Sequence, residues 1–303
     1  MYQLESNCAD LYVSDWTQGV LGTVINGHYD PYINSKVVFP VLMEAVRLPY
    51  PRTITPVACS GLPSPNLQQA EQSIRESVRD GGIVLKPVRG SKGRGIFIVE
   101  ANGDGCLING EHSDYSDLGR LIERLRDYIA TELIHQHDYA AVIYPRTTNT
   151  IRILTMWDDD SLSPFVAAAA HRFGTVRSFP VDNFKAGMGG LSSRIAPETG
   201  ELGPAVTYSE GGSELLWHER HPESGALIRG ILVPGWTQLV ESVLSAATQL
   251  NFAPLIGWDI VVCSEGFSVL EINGGVGLFT HQVHEPLLQN PRVRRFYETR
   301  IGS

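Results

Sequence analysis

Asp259, Glu271 and Asn273 are the residues of this sequence whose types and spacing could do chemistry together. Trp258-Asp259-Ile260-Val261-Val262 and Phe267-Ser268-Val269-Leu270-Glu271-Ile272-Asn273 read as two buried strands of a hairpin, folded about Cys263-Ser264-Glu265-Gly266. Side chains alternate faces along a strand, so Glu271 and Asn273 emerge together. A turn centred on Glu265 sets Asp259 across the ladder from Glu271. Two carboxylates and an amide oxygen then converge among apolar residues, where unpartnered charge costs several kcal/mol. Three hard oxygens favour Mg²⁺ or Mn²⁺ over zinc. The competing reading is a sheet end whose acidic residues face water.

A second constellation lies upstream. Ile83-Val84-Leu85-Lys86-Pro87 is a strand, Val88 to Gly95 a glycine-rich loop, and Ile96-Phe97-Ile98-Val99 the returning strand. Gly90, Gly93 and Gly95 permit positive φ and close backbone approach, so successive N–H groups can wrap a phosphate. Lys86, Lys92 and Arg94 add concentrated positive charge. The loop feeds a strand and opens no helix, which separates it from the Walker and Rossmann patterns. A basic hairpin tip in solvent gives the same pattern; joined to a downstream oxygen cluster, the loop points to a nucleoside triphosphate with a metal.

Helices and strands must hold these residues in place. Lys36, Val37, Phe39, Leu42, Met43 and Val46 mark an amphipathic segment beginning near Ser35, while residues 1–33 show little periodicity. Asn66 caps a helix running to Val78, and Asp117 opens another that carries Leu118, Leu121, Ile122, Leu125, Tyr128 and Ile129. Strands are expected over 150–157, 164–172 and 258–273. Trp236, Leu239, Val243, Ala247 and Leu250 lie on one helical stripe. The fold class is α+β: an N-terminal region over 1–59, a small lobe over 60–133 and a large lobe over 134–303, with an antiparallel sheet in each lobe and a nucleotide cleft between them. The 303 residues suffice for such a core, and 43% hydrophobic with 19% charged residues is ordinary for a globular enzyme. A net charge of −9 argues against a nucleic-acid partner. The four cysteines are widely spaced and read as reduced thiols. No apolar run reaches membrane-spanning length and no basic-then-apolar leader is seen, so a cytoplasmic protein without a membrane partner is expected.

The Lys86-Pro-x-x-Gly-Ser-x-Gly-x-Gly loop, the connector Thr131-Glu132-Leu133-Ile134 and the Asp259, Glu271, Asn273 set resemble, in that order, the ATP-grasp superfamily. Asn149-Thr150-Ile151-Arg152, Val181-Asp182-Asn183-Phe184 before Gly187-Met188-Gly189-Gly190, His221-Pro222 and Ile256-Gly257-Trp258-Asp259 are similar to its sugar-transfer-associated branch. The likeness covers the chain from about Asn34 onward. It implies ATP with two Mg²⁺ or Mn²⁺ ions. Lys36, Lys86, Ser91, Gly93 and Gly95 fall to the phosphates, Glu132 and Ile134 to adenine, Asp138 to ribose, and Asp259, Glu271 and Asn273 to the metals. Arg152 and Arg172 hold the acyl group, Asn183 belongs to a loop that closes over the substrates, and Lys185 sits near the γ-phosphate. The implied reaction converts a small-molecule carboxylate to an acyl phosphate and joins it to an amine, releasing ADP and phosphate. Many relatives are dimers, so a homodimer is one option, and the oligomeric state is left open.

From the residues alone, Arg152 and Arg172 have a second reading: each ends or lies in a buried strand and could pair with Asp182 or with one of the candidate metal-binding acids. Two other functions remain open at this level, a kinase acting on a hydroxyl and a non-catalytic ATP-binding regulator.

Overall fold

The computed structural model describes residues 9–90, 93–212 and 214–301, which form two compact units, one of residues 50–135 and one of residues 1–49 together with 136–303. The larger unit begins with three helices: α1 (Asp15–Asn26), α2 (Asp30–Ile33) and α3 (Phe39–Val46). A helix over 15–26 is not anticipated from the weak periodicity there. α3 begins at Phe39, later than the expected start near Ser35, with Pro40 in its first turn, where the missing N–H is harmless.

The smaller unit carries β1 (Thr53–Val57), α4 (Leu67–Asp80), β2 (Ile83–Pro87), β3 (Phe97–Asn102), β4 (Gly105–Ile108), β5 (Glu111–Ser113), α5 (Tyr115–Arg124) and β6 (Tyr128–Glu132). Its strands make an antiparallel sheet ordered β1-β6-β2-β3-β4-β5. The unit starts ahead of residue 60 because β1 hydrogen-bonds to β6. Asn66 caps α4 in a full capping box with Gln69. On α5 the cap is Asp114, whose side chain accepts from the Asp117 N–H, so the helix starts before the expected Asp117. It also stops at Arg124: Asp127 has φ 56°, the chain turns there, and Tyr128 and Ile129 extend into β6 and leave the helix. Ile74, Val78, Leu118 and Ile122 from the two helices pack with Ile83, Leu85 and Val99.

The rest of the larger unit contains α6 (Asp138–Ile143), β7 (Ile151–Asp158), β8 (Ser163–Phe173), β9 (Leu191–Ile195), β10 (Leu202–Tyr208), β11 (Leu215–His218), α7 (Trp236–Gln249), β12 (Leu255–Cys263), β13 (Gly266–Asn273), α8 (Phe279–Gln282) and α9 (Pro291–Ile301). Its antiparallel sheet is ordered β11-β10-β9-β8-β7-β12-β13. β12 is buried from Leu255 to Val262, which accounts for its unbroken apolar sequence. The edge strand β13 is covered in part by residue 49, since the Val269 N–H donates to the Pro49 carbonyl at 2.8 Å.

The N-terminal helices brace the open end of the β12–β13 hairpin. Asn26 bonds both the N–H and the carbonyl of Leu255, and the Asn34 side chain accepts from the Gly274 N–H. Gly22 lies against the same turn, where a Cβ would come within 2.7 Å of the Gly274 carbonyl and the Gly275 nitrogen. Backbone on that side cannot swing away as a side chain could, so Gly22→Ala is expected to cost about 1–3 kcal/mol by overpacking. Urea denaturation followed by tryptophan fluorescence measures it, and an unchanged midpoint would mean that α1 does not support the hairpin.

Candidate active site

The hairpin register is the one expected from the turn: Gly257 pairs with Asn273 and Asp259 with Glu271. A bulge follows at once, between Asp259 and Ile260. Residues paired across an antiparallel ladder share a face. Following the ladders outward, Asp259 pairs with Arg152 of β7, Arg152 with Ala170 of β8, and Ala170 with Arg194 of β9. Glu271, Asp259, Arg152, Ala170 and Arg194 therefore form one row across five strands. Arg172 and its partner Ser192 lie one step along the same face.

The row is knit by charge. Asp259 accepts from Arg152 Nε at 2.7 Å and Nη2 at 2.6 Å, and Arg172 Nη2 lies 3.4 Å away. Arg172 also lies 3.5 Å from Asp182 and donates from Nε to Thr150 Oγ1 at 3.0 Å. Asp182 in turn accepts from the Thr150 N–H at 2.7 Å and from its hydroxyl. Lys36 Nζ sits 3.6 Å from Glu271. Burial alone would push the Asp259 carboxyl up, but Arg152 and Arg172 beside it outweigh that and hold it at about 2. Burial weakens the charged form of Arg152, and Asp259 reverses the effect, raising its affinity for the proton.

These contacts bear on the residues expected to hold a metal. Among the described residues, no three His, Cys, Asp or Glu side chains converge on a cation position. Glu271 and Asn273, hard-oxygen donors on one side of β13 and both partly exposed, have the chemistry for Mg²⁺. Where the sequence reading gives Asp259 to a metal, the structure gives both its oxygens to guanidiniums, the alternative that the buried arginine strands left open.

The other expected site residues are spread over both units. In the smaller one, Lys86 is half-buried on β2, and Gly93 and Gly95 have φ of 68° and 72°. A Cβ on Gly95 would meet the Tyr128 hydroxyl at 2.6 Å. Ser91 lies outside the described residues. Glu132 accepts from the backbone N–H and the Nε of Arg52, and Ile134 follows half-buried. In the larger unit, Asp138 is exposed in the first turn of α6. Lys185 is exposed, and the Asn183 carbonyl accepts from the Gly190 N–H, an approach a Cβ on Gly190 would block at 2.4 Å. Asn149 and His221 are brackets: Asn149 bonds Gly174, Ala140 and Tyr144, and His221 bonds the Gly174 carbonyl and stacks on Tyr144.

Two residues of this face escape the sequence reading. Arg194 is 2.9 Å from Glu285, close enough for an ion pair but not aligned as a hydrogen bond. Its signal is the alternation of Leu191-Ser192-Ser193-Arg194, which resolves only once β9 is known to pair with β8. His281, on α8, is brought down to about 3 by burial first, then by the charges of Arg152 and His284, and so is neutral. No periodicity marks it, because α8 is a single turn after a glycine-rich stretch.

Asp259→Asn keeps shape but strands Arg152 in a buried position, and is expected to cost about 3–5 kcal/mol. The folded carboxyl titrates below its ordinary value, so the pair stabilises fully above about pH 4 and its contribution is lost as pH falls toward 2. Urea titrations from pH 7 to pH 2 should show a steeper acid loss in the native protein than in the variant. Parallel profiles would mean that Asp259 is not held by the arginines.

Solved structures similar to this chain include D-alanyl-alanine synthetase A from Vibrio cholerae (11% identity, 88% of this chain and 65% of that one, TM-score 0.48). A D-Ala:D-Ser ligase from Enterococcus faecalis matches at 13% identity over 91% of this chain and 63% of that one, TM-score 0.48. N5-carboxyaminoimidazole synthetase from Staphylococcus aureus, complexed with ADP, matches at 8% identity, TM-score 0.43, over 80% of this chain, which spans 45% of its length. No curated protein matches the sequence. The model of the sugar-transfer associated ATP-grasp family matches residues 24–295. With the match extending over nearly the whole chain, this protein belongs to the sugar-transfer associated ATP-grasp family.

Proposed function

We propose that this chain is an ATP-dependent ligase that activates a small-molecule carboxylate as an acyl phosphate and joins it to an amine. The observation that supports the reading is the pair of buried guanidiniums, Arg152 and Arg172, on the sheet face that also carries Glu271 and Asn273. Buried arginines are suited to planar anions, which they bind through two parallel N–H groups. Hard-oxygen donors beside them suit a cation that accompanies phosphate. The family match supplies ATP as the source of that phosphate.

In this reading Arg152 and Arg172 orient the substrate carboxylate and then stabilise the oxygen on which negative charge develops during acyl transfer. Asp182 and Thr150 set the position of Arg172. Lys36, Lys86 and the glycine loop offset phosphate charge, as phosphoryl transfer requires more positioning than covalent help. Magnesium, when bound, supplies Lewis-acid stabilisation to phosphate oxygens, and Glu271 with Asn273 are the residues that would hold it. Asn183 and Lys185 belong to the loop that closes over the acyl group.

The test is ADP release over pooled carboxylates and amines, with products identified by mass. A ligase yields phosphate and an amide only when both partners are present, and Lys86→Ala should weaken ATP binding without altering the fold. ADP with one hydroxyl acceptor alone, leaving a stable phosphorylated product, would make the protein a kinase. No ADP with any pair would remove the ligase reading.

Glu271→Gln separates a metal role from a structural one. The Glu271 side chain is 36% exposed and 3.6 Å from Lys36, and such a partly solvated pair contributes little, about 0–1 kcal/mol. The ligand-free melting temperature should therefore stay near that of the native protein, while the rise on adding Mg-ATP disappears. A large fall in the ligand-free melt would show that Glu271 holds the fold and not a cation.

A further inference from the structure

His281 is the buried polar group on this face that neither the ion-pair network nor the proposed reaction uses. It is 3% exposed, and neither of its ring nitrogens has a hydrogen-bond partner. The cost of leaving such a group unmet is about 1–3 kcal/mol, so buried imidazoles ordinarily find partners. The other two buried histidines of this unit have partners: His171 bonds the Tyr139 hydroxyl and His221 the Gly174 carbonyl.

The ring is also held in place. α8 is one turn long and anchored on both sides of His281. Ser192 donates to the Thr280 carbonyl at 2.9 Å, tying the turn to β9. Gln282 bonds the N–H and the carbonyl of Val13 at 2.8 and 2.9 Å, tying it to the N-terminal segment. A rigid, unsatisfied imidazole, on a turn tied to Ser192, the ladder partner of Arg172, has the make-up of a ligand contact: one N–H to give to an anionic oxygen and one nitrogen to accept from a neighbouring donor.

We infer that His281 contacts the substrate, donating a hydrogen bond to the carboxylate or phosphoryl oxygen that Arg152 and Arg172 bind. The inference rests on the anion-binding part of the proposed function and adds a third donor to it. Three donors of fixed geometry favour a trigonal or tetrahedral oxyanion over a simple halide.

The ring nitrogens of protein labelled with ¹⁵N-histidine report this directly, with the His281 signals identified by their loss in His281→Gln. Inorganic phosphate and acetate are added in separate titrations. Movement with phosphate assigns the contact to the phosphoryl oxygen, and movement with acetate assigns it to the carboxylate. Ring signals that stay put with both anions overturn the inference. His281→Leu should bind the responding anion about ten-fold more weakly, and equal affinity would also overturn it. If the signals move but no carboxylate–amine pair yields ADP, the ligase reading fails and this contact stands. ADP release with unmoved His281 signals does the reverse.

Discussion

The bidentate pair between Arg152 and Asp259 is the constraint on which the larger unit depends. The two side chains stand on the neighbouring strands β7 and β12, only 16% and 9% exposed, and each offsets most of the other's charge. Around that pair the charges balance: Arg152, Arg172 and Lys36 face Asp259, Asp182 and Glu271, three cations against three carboxylates. Replacing a buried ion pair by apolar residues is often neutral or stabilising, so its presence here is not explained by stability. What the pair does is hold a guanidinium in a largely dry place, where its interactions with charge are far stronger than in water. Both guanidiniums are engaged by Asp259 and Asp182 in this arrangement.

Holding that balance requires the strand ends to be fixed. The hairpin β12–β13 ends in Gly274 and Gly275, which have no side chains to pack, and Asn26, Asn34 and Gly22 supply the missing restraint. The N-terminal helices thereby act on the site without touching its charges, apart from Lys36, which follows the brace directly and reaches Glu271. The helices before residue 34 thus support one end of the strand that carries Glu271 and Asn273.

How much of this was legible in the sequence follows from the range of each interaction. The β12–β13 hairpin is local: a four-residue turn and alternating side chains dictate that Asp259 faces Glu271, and it does. The Asn66 cap is equally local. The end of α5 was misread because Leu125, Tyr128 and Ile129 continue a helical spacing; the positive φ of Asp127 breaks it, and β6 takes the apolar residues into the sheet. The partner of Asp259 was beyond local rules. Its identity depends on β7 lying next to β12, more than 100 residues apart in the chain, and the sequence could offer only a metal or an arginine as alternatives. Arg194 and His281 were invisible for the same reason, since each matters only through the strand or turn that tertiary structure sets beside it.

Ala170 shows how the remaining apolar sequence serves the site. It stands between Arg152 and Arg194 in the row, completely buried, in the run Ala167 to Ala170 of β8. β-Branched residues are the usual strand formers, so alanines in a central strand give up both propensity and buried area. The turn α8 packs against β8 and β9, and its backbone is tied to Ser192. A Val or Ile at Ala170 would add bulk at a completely buried position and strain the strand by overpacking. The low-profile strand goes with a turn from a separate element that is tied to Ser192, the ladder partner of Arg172.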